Sequence, residues 1–124
     1  MHCLIVMRRL PDKNALRLAA NLIEALTAQG HQLDGLFLMG PAVCMVQREG
    51  SYLEQGSRMT YINQSKELKR LLALAEGQGF DITACGRSLQ NHDISTEVIE
   101  PPFAAGGYYE LLQKMQGCER VIEI

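Results

Sequence analysis

The sequence predicts an α/β/α domain of three layers around a mainly parallel sheet of about five strands. Short apolar runs of strand length alternate with longer segments whose apolar residues recur every three or four positions, the spacing of an amphipathic helix. Parallel neighbours need crossover connections, so this alternation favours parallel strands with helices on both faces. A chain of 124 residues is long enough for a single core, and we expect one domain over 1–124.

Several segments have the composition of strands. The runs 2–7 and 32–39 are almost continuously apolar, as is typical of strands buried on both faces. The segment 80–85 directly follows a predicted helix, and 119–124 alternates between apolar and polar residues, which is the period of a strand. One more short strand is predicted within 95–102, where two prolines stop it.

Three segments have the periodicity of helices. The first helix lies between the first two strands, with Asp12 or Asn14 able to cap its start and Gly30 able to end it. A second is predicted over 65–79, and a short amphipathic helix over 108–117.

Composition and charge exclude several classes of protein. With 47% hydrophobic and 21% charged residues, the chain has the balance of a soluble globular protein. Its net charge is −2 and its basic residues are scattered, so we expect no nucleic-acid partner. No apolar run approaches the length of a membrane span. The first arginines follow the opening apolar run, the reverse of a signal peptide, which favours the cytoplasm.

The four cysteines are far apart and form no CxxC pair, so neither a zinc site nor a dense disulfide framework is indicated. In a reducing compartment they would be free thiols. We expect Cys3, inside the first strand, to be a core residue, and Cys118, just before the last strand, to pack as well. For Cys44, a hydrophobic contact with another subunit is the favoured role.

Cys85 is the main candidate for a functional residue because it ends a predicted parallel strand, where ligands and catalytic groups gather. If Gly86, Arg87 and Ser88 begin a helix, free N–H groups and the arginine would favour a thiolate there. The alternative is a buried thiol that only closes the strand. His92 could face this thiol if the helix continues for two turns, but a solvated surface histidine is the favoured interpretation.

Other chemistries fit less well. A cysteine phosphatase needs an arginine six positions after its nucleophile, and that position holds Asn91. The "CGRS" stretch matches a thioredoxin-like CxxS site literally, which leaves a small thiol-redox protein as a weaker alternative. The loop after the first strand lacks the glycines of a phosphate-binding turn. No flavin, metal or other cofactor is expected.

Three stretches carry a likeness to a known family: "REGSY" (48–52), the run that continues from it into "GFDITAC" (79–85), and the tail 103–124. On these the chain resembles the DsrE/TusD family of sulfur-relay proteins, particularly the TusD type. The likeness covers most of the chain, but the segment between Cys85 and Phe103 is shorter than is usual in that type.

The resemblance implies a flavodoxin-like domain that accepts sulfane sulfur on Cys85 as a persulfide and hands it to a partner protein. It also implies donor and acceptor proteins as partners, and a trimer or hexamer of like or paralogous subunits. A different hypothesis is a non-catalytic subunit whose role is assembly. We expect the long connection 41–64 to contain a short helix or an interaction loop. In an assembly subunit, this connection and the tyrosines would form the interface.

Overall fold

A computed structural model describes residues 1–47 and 66–124, together with the backbone of two strands at 52–55 and 58–61. Its strands are β1 (His2–Met7), β2 (Gln32–Leu38), β3 (Tyr52–Gln55), β4 (Arg58–Tyr61), β5 (Ile82–Cys85), β6 (Phe103–Gly106) and β7 (Arg120–Glu123). Its α-helices are α1 (Lys13–Ala28), α2 (Lys66–Gln78), α3 (Gly86–Asn91) and α4 (Tyr108–Gln116), and short 3₁₀ helices cover Gly40–Val46 and Thr96–Val98.

Five strands form one parallel sheet in the order β6-β5-β2-β1-β7. This confirms the predicted α/β class and the number of strands. Numbered within the sheet, the order is 4-3-2-1-5, whereas the flavodoxin sheet is ordered 2-1-3-4-5. The chain therefore advances strand by strand from β1 to β6, and α4 then carries it back across the sheet to place β7 beside β1.

The two faces of the sheet bury separate sets of side chains because successive strand residues point to opposite sides. On one face, residues such as Ile5 and Leu36 pack with the buried sides of α1 and α2. On the other face lies a smaller group that we call the α4-side cluster: Leu4, Val6, Phe37, Met39, Cys85 and Leu111. Leu111 is the buried residue of α4, so this helix covers the face to which Cys85 points.

The first helix begins and ends as its sequence indicates. Of the two candidate caps, Asp12 is the one used, and its Oδ1 accepts a hydrogen bond of 2.8 Å from the backbone N–H of Ala15. Gly30 follows the helix with a φ of +82°, which is strained for any residue with a side chain. Ser65, the predicted first residue of the second helix, lies outside the described residues.

The short strand predicted within 95–102 is wrong, because Thr96–Val98 forms a 3₁₀ helix. The edge strand is instead β6, after the two prolines. Its sequence "FAAG" has two alanines and a glycine, residues of low strand propensity, so composition did not mark it.

The long connection after β2 contains both a helix and a hairpin. The predicted short helix is the 3₁₀ helix Gly40–Val46, and β3 then pairs with β4 in antiparallel fashion. Residues 48–51, 56–57 and 62–65 are outside the described part. Within that part, no helix is long and apolar enough to cross a membrane.

Candidate functional site

Cys85 is the last residue of β5 and the N-cap of α3. Its backbone is still extended, with φ −62° and ψ 122°, and helical geometry begins at Gly86. Cys85 therefore lies at the carboxyl edge of the parallel sheet, where the first turn of α3 begins, and its side chain makes no capping hydrogen bond to that turn. This is the location predicted for it.

The Cys85 side chain is enclosed. It is 4% exposed and packs in the α4-side cluster beneath Leu111. A partner or reagent can meet the sulfur only when part of this apolar cover moves aside. The sequence left open an accessible thiolate and a buried thiol, and the structure shows the buried thiol. Any reaction of Cys85 therefore requires that the side chains covering it move.

The three residues after Cys85 have different environments. Gly86 begins α3, and a Cβ there would lie 3.7 Å from the Gly106 carbonyl oxygen. Arg87 is exposed. The Ser88 Oγ accepts a hydrogen bond of 2.9 Å from the backbone N–H of Gly40. Ser88 thus ties the start of α3 to the turn that follows β2.

The sequence did not indicate the carboxylate that lies beside Gly106, the residue paired with Cys85 on the neighbouring strand. Gly106 pairs with Cys85 in the β5–β6 ladder, and a Cβ on it would lie 2.7 Å from Oε2 of Glu110 and 2.6 Å from Cγ2 of Thr83. Paired residues of parallel strands point to the same face, on strands about 4.8 Å apart. The Glu110 carboxylate therefore lies over Gly106, in the space that a side chain at that position would occupy.

His92 is exposed, as a surface histidine would be, and it does not face Cys85. Helix α3 has only six residues and His92 is its C-cap, so the ring is at the opposite end of the helix from Cys85. Its Nδ1 is 4.0 Å from Sγ of Cys44. Cys44 is half-buried in the 3₁₀ helix, and burial raises the pKa of its thiol. A contact across 48 residues leaves no local sequence signal.

Cys118 lies at the opposite, amino-terminal edge of the sheet. It is half-buried, and its thiol donates to Oδ2 of Asp34 at 3.4 Å, while Oδ1 of Asp34 is 2.9 Å from Nδ1 of His2. Burial, with the Asp34 carboxylate that accepts its proton, raises the pKa of Cys118 to about 11. The arrangement favours a protonated thiol. Cys3 is fully buried, as predicted.

The raised pKa of Cys118 predicts a stability change at alkaline pH. The unfolded thiol ionises near 9.0 and the folded one near 11, so the folded state keeps its proton longer. The stabilisation is complete below pH 9 and is lost as the pH rises to about 11. In urea titrations with reductant present, wild type should lose stability relative to Cys118→Ser between pH 9 and 11. A constant difference between the two proteins would contradict the raised pKa of Cys118.

Among the residues with described side chains, no three His, Cys, Asp or Glu groups come together as metal ligands.

The fold and this site define a class: a parallel α/β protein with a cysteine where its third sheet strand meets a helix. The family model described as the DsrE/DsrF-like family matches residues 1–124. The chain belongs to that family, as the resemblance in its sequence implied.

Solved structures share this fold. The crystal structure of the ychN protein from E. coli is 23% identical, with a TM-score of 0.71, and the match covers 100% of this chain and 99% of that one. MTH1491 from Methanobacterium thermoautotrophicum, a protein of unknown function, is 13% identical, with a TM-score of 0.68 and coverage of 99% and 98%. A comparison with curated protein sequences gave no match.

Proposed function

We propose that the protein is a sulfur carrier, which accepts sulfane sulfur on Cys85 as a persulfide and passes it to a partner protein. The observation that carries this proposal is the position of Cys85, at a strand–helix junction on the carboxyl edge of the sheet in a DsrE/DsrF-like chain. The first turn of α3 leaves backbone N–H groups without an intrahelical partner, and such groups favour an anion that turns toward them. Arg87 adds an exposed cation two residues away.

The chemistry has two thiol exchanges. The Cys85 thiolate attacks the terminal sulfur of a donor persulfide, R–S–SH, which gives Cys85–S–SH and releases the donor thiolate. An acceptor thiolate then attacks the terminal sulfur of Cys85–S–SH, forms its own persulfide and releases the Cys85 thiolate. Each step breaks one S–S bond and forms another, so no external oxidant or reductant is consumed.

Because Cys85 is buried, transfer requires that its apolar cover opens. Leu111 of α4 belongs to the cover, and the outer side of the same helix exposes Tyr108, Leu112 and Met115. These three follow one another at steps of four and three residues, so they share a face. A donor, an acceptor or a neighbouring subunit of a homo- or hetero-oligomer that docks on this face contacts the helix that closes over Cys85. Docking and opening would then be the same event.

The test is to incubate the reduced protein with glutathione persulfide and weigh it intact. We expect an added sulfur atom of about 32 Da, which maps to Cys85, is removed by dithiothreitol and is transferable to an acceptor thiol. Cys85→Ser should lose the adduct. Cys3→Ser is the matched control, because it removes another buried cysteine of the same sheet and should keep it. An adduct of undiminished yield in Cys85→Ser would refute the proposal.

A second candidate is a non-catalytic subunit with a role in assembly. The observation that favours it is the 4% exposure of Cys85 together with the exposed apolar face of α4. The rate at which Cys85 is alkylated in the native protein separates the two functions. A rate as low as that of Cys3, with and without the persulfide donor, would support assembly and not transfer.

A further inference from the structure

Two side chains from different segments meet where α3 packs against the 3₁₀ helix Gly40–Val46. Cys44 Sγ lies 4.0 Å from Nδ1 of His92, the thiol half-buried and the ring exposed. A thiol next to an imidazole is the combination that activates a cysteine, because the ring takes the proton as the sulfur attacks. In the tautomer with its hydrogen on Nε2, the Nδ1 atom is free to accept that proton.

The backbone on both sides of this contact is fixed. In the 3₁₀ helix, Val43 and Met45 on either side of Cys44 are fully buried. The hydrogen bond from Gly40 N–H to Ser88 Oγ joins this helix to α3, and the His92 N–H donates to the Ser88 carbonyl oxygen at 3.1 Å. The pair is therefore held by packing at the sulfur end and by the helix cap at the imidazole end.

A comparison within the same chain shows what the imidazole adds. Cys44 and Cys118 are both half-buried, and burial raises the pKa of both thiols. The neighbour of Cys118 is the Asp34 carboxylate, whose negative charge opposes a thiolate. The neighbour of Cys44 is an imidazole, a base that can accept the thiol proton. Of these two thiols, Cys44 is the one equipped to react.

This pair is separate from Cys85. Cys85 and His92 cap opposite ends of α3, about 10 Å apart along its axis at 1.5 Å per residue. Cys44 packs against the core on the α1 and α2 face, whereas Cys85 belongs to the α4-side cluster. A reaction at Cys44 therefore does not need the cover of Cys85 to open.

We propose that Cys44 and His92 form a second thiol-exchange site, which takes small disulfides. The Cys44 sulfur attacks one sulfur of a disulfide R–S–S–R as its proton passes to His92. The S–S bond breaks, a Cys44–S–S–R bond forms, and the leaving thiolate takes the proton from the imidazolium as R–SH. The disulfide is the oxidant. One thiol, that of Cys44, is consumed and one thiol, R–SH, is released.

The test uses the full chain with hydroxyethyl disulfide, a small neutral probe, and follows the mixed disulfide at each cysteine by peptide mass spectrometry. His92→Gln keeps a hydrogen-bonding group of similar reach but cannot take the proton. It should lower the rate at Cys44 about 100-fold, the usual size of general-base assistance, and leave the rate at Cys118 unchanged. His92→Phe keeps the ring's cover and should lower the Cys44 rate equally.

The pH dependence gives a readout that packing alone would not move. In wild type, the rate at Cys44 should fall when the pH is low enough to protonate an imidazole, because the ring then cannot take the thiol proton, and both variants should lack this inflection. Among the elements packed against 40–46 are α3 and β5, whose other titratable groups are Arg87 and Cys85, and Asp93 follows His92 directly. Both variants keep these groups, so an inflection that is lost with His92 comes from the imidazole. A wild-type Cys44 rate in His92→Gln or in His92→Phe would overturn the proposal.

Discussion

Replacing Phe37 by alanine should lower the free energy of unfolding by about 3–5 kcal/mol, the usual cost of deleting a buried aromatic ring. Phe37 lies on β2, a central strand, between Val6 on β1 and Thr83 on β5, and is 1% exposed. Its ring is also part of the α4-side cluster that encloses Cys85. The cavity left by the ring would open next to the thiol, so alkylation of Cys85 in the native protein should become faster.

Leu36→Ala is the matched control. Leu36 is the next residue on the same strand and equally buried, but it points to the opposite face and packs with the α1 and α2 core. Its loss should cost about 2–5 kcal/mol without opening the cover of Cys85. Urea unfolding gives the stability of each variant, and iodoacetamide labelling followed by mass spectrometry gives the rate at Cys85.

Labelling below the unfolding transition separates two routes to the sulfur. If the cover opens locally, Phe37→Ala should speed labelling well beyond what its loss of global stability explains, and Leu36→Ala should not. If both variants speed labelling in proportion to their stability loss, Cys85 is reached only by global unfolding. That result would contradict local access, and with it the carrier function as proposed.

The parts of the fold that could be predicted are those whose signal is local. The run "HCLIVM" is buried along nearly its whole length, and the structure forms β1 over the predicted residues. The cap of α1 by Asp12 and the position of Cys85 at a strand end follow from neighbours in sequence in the same way. In each case a few adjacent residues carry both the pattern and its physical cause.

The parts that could not be predicted depend on tertiary neighbours. The edge strand β6 forms because "FAAG" meets β5, although its own side chains give it little strand propensity. The contact of Cys44 with His92 joins residues 48 positions apart. Glu110 of α4 lies over Gly106 of β6 because that position has no side chain. No local pattern encodes these meetings, since they follow from strand order and helix packing.

Gly106→Ala should destabilise the protein by about 1–3 kcal/mol, the range for overfilling a packed site. The cause is steric, because the new methyl group would lie 2.6 Å from Thr83 Cγ2 and 2.7 Å from Glu110 Oε2. The glutamate can swing outward at little cost, since it is long and exposed, whereas Thr83 is short, β-branched and buried in the sheet. Most of the penalty should therefore come from Thr83.

Two further variants test that cause. Gly77→Ala, within α2 and with no atom within 4 Å of the new Cβ, should stabilise the protein by about 0.5–1 kcal/mol. Thr83→Ser removes the clashing methyl group. In the Gly106→Ala background it should therefore raise the free energy of unfolding relative to its effect in wild type. A double-mutant cycle measures this difference. If the two substitutions are additive in urea unfolding, the clash is not the source. The stability loss in Gly106→Ala would then have a cause other than the close approach of Thr83.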